Sequence, residues 1–206
     1  AALLLSGNFA FSQNVTFDTY KITNVGSIKI PNNMEIQSDE YKRMVEQKIS
    51  NKGYEISGNK IVFQVKGTNN LETKAVNSYA RVILQTEIGR YGDYPSLTSN
   101  QSYSQSDLDA SSYEIQTMLA KQLQANGQKL VKWNGITMVK VNGITAMKCS
   151  YQRQDGDFPY AVVNMYQFFN NDRVHTLTLS YRHTEESTWK PLFEKVLNSF
   201  TITNVR

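Results

Sequence analysis

The sequence predicts an α+β domain built on a mostly antiparallel sheet of about six or seven strands, with helices packed on its faces. Three observations carry this. From Asn134 to Phe200, short β-forming runs alternate with turn signals and close on one helical pattern. That closing pattern places Trp189, Leu192, Phe193, Val196, Leu197 and Phe200 at offsets 0, 3, 4, 7, 8 and 11, a wide apolar stripe that must be covered. The chain has 206 residues, 40% of them hydrophobic, with 12 Tyr and 9 Phe, enough for one proper core.

Residues 1–12, Ala-Ala-Leu-Leu-Leu-Ser-Gly-Asn-Phe-Ala-Phe-Ser, read as the tail of a secretory signal peptide. Ala10 and Ser12 are the small residues a signal peptidase reads, and the run is too short to span a bilayer. The competing reading is a buried N-terminal strand. The expected organisation is therefore a residual leader over 1–12 and a single domain over 13–206, exported to the periplasm or secreted, with no transmembrane segment.

Within the domain, residues 13–26 alternate weakly and suit an edge strand, and Gly26–Pro31 is a short strand stopped at Pro31. A helix is expected from Ser38 to Ile49, with Tyr41, Met44, Val45 and Ile49 on one stripe. Lys60–Lys66 and Ser78–Ile88 read as strands, the second apolar enough to be central. Residues 89–106 form a long polar loop. A second helix is expected from the capping box Ser111-x-x-Glu114, with Ile115, Met118, Leu119, Gln122 and Leu123 facing inward and Gly127 as its C-terminal cap.

Strands then follow over 129–133, 136–141 and 144–152, separated by Asn134-Gly135 and Asn142-Gly143, both strong hairpin signals and both followed by Ile-Thr. Asp155-Gly156-Asp157 and Asn170-Asn171-Asp172 turn the chain into strands over 160–169 and 173–182. In the last strand His175, Leu177, Leu179 and Tyr181 share the face assigned to the core. Pro191 is tolerated only in a first helical turn, so the closing helix should start near Ser187 or Thr188.

The wording of several segments resembles the PsbP-like superfamily, which joins the extrinsic photosystem II protein PsbP to a nuclear-import factor that binds the GTPase Ran. The residues that carry this are Gly26–Pro31, the hairpin Ile136–Tyr151, and Val174–Tyr181 followed by Trp189-x-x-Leu-Phe-x-x-Val-Leu-x-Ser-Phe200. The resemblance implies an α/β/α sandwich around a mostly antiparallel central sheet, and binding or assembly roles generally without catalysis. Its motifs are packing motifs, so no site residue carries over.

Catalytic and metal motifs find little support. There is no Gly-x-Ser-x-Gly elbow, no phosphate-cradling glycine loop and no paired-cysteine metal spacing. His175 and His183 lie eight residues apart on one strand, about 27 Å, too far to share an ion. Cys149 reads as a packed strand residue, with a reactive thiol as the alternative.

The formal charge of +4 is too dilute for a dedicated nucleic-acid binder. Two features remain as binding candidates. Lys121, Lys132, Lys140, Lys148 and Arg153, with Lys129, fill an interval between Glu114 and Asp155 that has no acidic residue. They form either a positive patch or an ordinary solvated face. Tyr91, Tyr94 and Tyr103 either present a contact surface or pin their loop to the core.

The leading expectation is a non-catalytic extracytoplasmic binding or assembly module, needing no cofactor, with a protein or an anionic envelope component as partner. The alternatives are an enzyme that acts on cell-envelope polymers with a carboxylate acid/base pair, and a structural subunit that pairs an exposed strand with a partner.

Overall fold

The computed structural model describes residues 15–37, 47–50, 53–56, 59–68, 78–98 and 103–206. Two sheets enclose one apolar layer. The first holds β1 (Phe17–Ile22), β2 (Gly26–Pro31), β4 (Gln47–Ser50), β5 (Gly53–Ile56) and β12 (Thr201–Ile202), in the order β12-β2-β1-β5-β4. The second is the large sheet: β3 (Met34–Ile36), β6 (Lys60–Val65), β7 (Ala80–Ile88), β8 (Gln128–Val141), β9 (Ile144–Asp155), β10 (Ala161–Phe169) and β11 (Arg173–Arg182). Its seven strands run β3-β6-β7-β11-β10-β9-β8, and each adjacent pair is antiparallel. Helix α1 (Gln105–Ala125) and helix α2 (Glu186–Ser199) complete the fold.

The large sheet and its helices match the expected α+β architecture; the small sheet is an addition. Gly26–Pro31 is the strand the sequence predicts, whereas β4, β5 and β12, of two to four residues, carry too little periodic signal to be read individually. Phe17–Ile22 is not an edge strand, because β1 lies between β2 and β5. The helix expected over 38–49 is overturned at its end: Gln47–Ser50 pairs antiparallel with Gly53–Ile56. Residues 38–46 lie outside the described residues, as does the leader over 1–12.

Strand alternation gives the large sheet two distinct faces. Its inner face carries Phe63, Val82, Leu84, Leu177, Leu179 and Tyr181, which join Tyr20, Ile28 and Ile30 of the small sheet in one buried cluster. The Tyr20 and Phe63 rings meet edge-on at 4.8 Å across this layer. Helix α2 closes it, touching both β2 and β11. Trp189, Phe193 and Val196 are buried as the stripe requires, and Leu192 and Leu197 pack partly against the cluster. A 3-10 turn over His183–Glu185 leads into α2, so the helix begins at Glu186, a residue or two before the expected start.

The two Asn-Gly pairs diverge. Asn142 and Gly143 both take positive φ, 50° and 81°, as a two-residue hairpin between β8 and β9 demands. Asn134-Gly135 makes no hairpin. It lies inside the single strand β8, at a register shift between Trp133 and Gly135 where Gly135 takes φ 91°. The pair makes a bulge because β9 supplies partners on both sides of it. β8 is an edge of the large sheet, and its two register shifts and its lysines blunt it against strand addition, which argues against the strand-pairing reading.

Helix α1 starts at Gln105, six residues before the capping box, because the Ser104 side chain accepts from the Asp107 backbone N–H and caps it there. Leu123 is buried and Ile115 and Leu119 are half-buried, but Met118, expected to face inward, is 63% exposed. The helix lies over the outer face at β8, where Trp133 Nε1 donates to Ser112 Oγ at 2.9 Å. Gly127 takes φ 70° just past its end, as expected.

Candidate functional site

The outer face of the large sheet ends in a row of polar residues. Arg182 on β11 pairs with Ala161 on β10, and Ala161 pairs with Arg153 on β9, so the two arginines share a face with only a methyl group between them. Tyr79 extends the row on the β7 side, its carbonyl accepting from the Arg182 backbone N–H at 2.9 Å. Arg81, paired with Ser180, stands one step along the same face.

These residues converge on the Tyr79 ring. The guanidinium carbons of Arg81, Arg182 and Arg153 lie 5.1, 5.4 and 5.5 Å from its centroid, each in cation–π range. Arg153 Nη2 donates to the Tyr79 hydroxyl at 2.9 Å, which also lies 3.1 Å from Ser180 Oγ. Together they wall a cavity of about 170 Å³, with Gln64, Gln128 and Phe158 around it. Burial pushes the Tyr79 phenol up, but the Arg153 and Arg81 charges and the hydrogen bonds from Ser180 and Arg153 outweigh it, so its pKa falls below the ordinary value. Burial, then the charge of Arg153, lowers the pKa of Arg182, against the pull of Tyr79, Asp155 and Glu185. Chemically this is a concentration of hydrogen-bond donors and positive charge, suited to holding an anion.

Of the residues singled out in the sequence, only Arg153 belongs to this cavity. The sheet disperses the others. Lys140 pairs with Thr145 at the opposite end of the outer face, eight residues and about 27 Å along β9 from Arg153. Tyr94 stacks on Phe169 there at 6.3 Å, which ties the 89–98 segment to the sheet, and Tyr103, 40% exposed, lines a small hollow with Thr145 and Phe169. Tyr91 is 89% exposed. Lys121 is exposed on α1, and Lys132 pairs with Gln152 on the inner-facing alternation. Lys148 lies over the Tyr166 ring at 5.8 Å, in a groove of about 280 Å³ between α2 and the inner face. Opposite charges meet in that groove, with Lys190 and Glu186 at 2.9 Å.

Tyr79, Arg81 and Arg182 escaped the sequence reading. The available signal was arginine placed inside or at the end of otherwise apolar strands, but only the pairing register shows that they meet.

Both histidines are structural. His175 is fully buried, with Nδ1 3.0 Å from Thr86 Oγ1, and burial followed by the Arg173 charge lowers its pKa to about 4. His183 stacks on Tyr160 at 3.7 Å. Cys149 is buried in β9, and burial pushes its thiol up to about 12, which suits packing rather than reactivity.

No family model and no curated protein matches the chain. Among solved structures it is similar to PsbP from the cyanobacterium Synechocystis sp. PCC 6803, at 14% identity and TM-score 0.49, covering 96% of this chain and 98% of that one. It is also similar to a protein from Bacteroides thetaiotaomicron VPI-5482, at 6% identity and TM-score 0.43, covering 85% of this chain and 44% of that one. A protein of unknown function from Pseudomonas aeruginosa matches at 12% identity and TM-score 0.40, covering 90% and 96%. Among the described residues, no helix is long and apolar enough to cross a membrane.

Proposed function

We propose that this protein is a non-catalytic, extracytoplasmic binding module whose principal site is the cavity of Arg81, Arg153, Arg182 and Tyr79, and that it holds an anionic group there. The observation that supports this is the convergence of three guanidiniums within 5.1–5.5 Å of one tyrosine ring in a partly enclosed hollow. Bringing like charges together costs free energy, and an anion received among them offsets that cost. The extracytoplasmic placement rests on the apolar leader over 1–12. Tyr91, Tyr103 and Lys140 at the far end of the outer face form a secondary contact surface in this reading. A carboxylate acid/base enzyme is less well supported: among the described residues the cavity wall carries one carboxylate, Asp155, where that chemistry uses two.

The test is an NMR titration with small carboxylates, phosphates and sulfates up to roughly 20 mM, the range of a weak single-group contact. Saturable shifts are expected at Tyr79, Arg81, Arg153, Ser180 and Arg182. If no anion in the panel gives a saturable response there, the reading falls.

A further inference from the structure

The number and placement of the donors say more about the ligand, on the footing of the anion-binding reading above. We infer that the cavity is shaped for a tetrahedral oxyanion with three terminal oxygens, the phosphate-type end group of a larger ligand, in preference to a carboxylate.

Three strands each contribute one guanidinium: β7 gives Arg81, β9 gives Arg153 and β11 gives Arg182. All three lie within 5.5 Å of the same ring centroid and all three line the cavity, so they converge on one space. A guanidinium over an aromatic face uses its π surface for that contact and keeps its N–H groups on its edge. With five donors each, the arginines serve several acceptors at once: Arg153 gives one to the Tyr79 hydroxyl, and Arg182 gives one to the Pro159 carbonyl.

A carboxylate has two oxygens in one plane, and one or two arginine forks satisfy it. Three guanidiniums carried by three separate strands suit an acceptor with three oxygens.

Size and lining agree. A cavity of about 170 Å³ is smaller than the roughly 300–1,000 Å³ of sites that enclose whole small molecules, so it takes an end group and leaves the remainder outside. Around it lie the amides of Gln64 and Gln128, the hydroxyls of Thr68 and Ser78, and the Phe158 ring, 41% exposed. That surface is polar but mostly uncharged, suited to hydroxyl-bearing material next to the anion. Asp155 is the negative group on the wall, and Glu185 accepts from Ser78 nearby. Both oppose an anion, so charge alone gives only modest affinity and the fit of the oxygens must carry selectivity.

Affinities measured at constant ionic strength, above the second ionisation of phosphate, test this with five probes: inorganic phosphate, methyl phosphate, methanesulfonate, dimethyl phosphate and acetate. Phosphate and methyl phosphate, each with at least three terminal oxygens, are expected to bind about tenfold more tightly than acetate or dimethyl phosphate, which offer two. Methanesulfonate, a monoanion like acetate but with three terminal oxygens, should likewise bind more tightly than acetate; binding no tighter than acetate would trace the preference to the second negative charge and overturn the tetrahedral reading. Arg81→Gln and Arg153→Gln, made separately with folding checked by circular dichroism, should each bring phosphate down to the level of acetate. If one variant does not fold, the other decides. Acetate or dimethyl phosphate matching methyl phosphate overturns the tetrahedral preference and leaves the binding-module reading standing. A panel with no binding at all removes both.

Discussion

The two faces of the large sheet use the same strands for opposite purposes. On the inner face of β11, His175, Leu177, Leu179 and Tyr181 are all at or below 4% exposure, and the last three join the apolar cluster between the two sheets and α2. On the outer face, Ser180 and Arg182 are also nearly buried, yet their partners are a tyrosine and two more arginines. The inner face spends its burial on stability, since each large apolar side chain removed from water contributes about 1.5–3 kcal/mol. The outer end confines polar and charged groups, whose burial stabilises little and which the proposed function assigns to recognition. The difference predicts that inner-face changes unfold the protein, whereas changes in the cavity alter what it binds.

The largest effect belongs to Phe193, 2% exposed and in contact with the Tyr181 and Trp189 rings at 5.9 and 5.6 Å. Phe193→Ala should cost about 3–5 kcal/mol, read as a lower urea midpoint with little change in slope. A loss under about 1 kcal/mol would show that α2 does not close the core, and the contrast between the faces would collapse.

His175 comes next. Its pKa is about 4 in the fold against an ordinary value of 6.5, because burial first and Arg173 second disfavour its charge, while Asp172 opposes them. Between those values the unfolded chain binds the proton more readily, so this contribution to stability is complete above pH 6.5 and is lost as pH falls toward 4. The total is about 3 kcal/mol. Unfolding midpoints measured across that window should fall steeply in the native protein and less so in His175→Gln. Equal slopes would mean that the ring is hydrated and that the inner face is wetter than its burial implies.

How much of this was legible depends on how far apart the cooperating residues lie. β11 and α2 were readable because each carries its own period, two or 3.6, within one continuous segment. Beyond β2 the small sheet was hardly legible, since β4, β5 and β12 span four, four and two residues and owe their existence to their neighbours. The capping box at Ser111 was a valid local signal that Ser104 superseded with a cap of its own. The guanidinium cavity draws on Tyr79, Arg81, Arg153 and Arg182, more than a hundred positions from first to last, and only strand register brings them together.

The repeated Asn-Gly-Ile-Thr gives a third, smaller test of the same contrast. Asn142 takes φ 50° and its amide donates to the Asn198 and Phe200 carbonyls at 3.0 and 2.7 Å, tying the β8–β9 hairpin to the end of α2. Asn142→Ala should therefore cost about 2 kcal/mol, from a strained left-handed residue and two lost hydrogen bonds. Asn134, whose amide meets Ser150 Oγ only at 3.5 Å, should tolerate alanine within about 0.5 kcal/mol. Equal costs in thermal unfolding would mean that the bulge is as constrained as the hairpin.

A small net stability effect should come from the cavity, where it is also the most diagnostic. Arg153→Met removes the hydrogen bond to the Tyr79 hydroxyl at 2.9 Å, which alone would destabilise. It also removes a positive charge that disfavours the neighbouring charge of Arg182, which works the other way. The two should nearly cancel, leaving a net change within about 1 kcal/mol. The phenol reports the event directly: Arg153 is the foremost of the influences holding the Tyr79 pKa down against burial, so the variant's phenol must titrate at higher pH. Ultraviolet titration of tyrosinate, compared between native protein and variant, reads this shift. An unchanged fold with an upshifted phenol would mark a face built for recognition, whereas a large loss of stability would make the cavity a buried structural network like the core behind it.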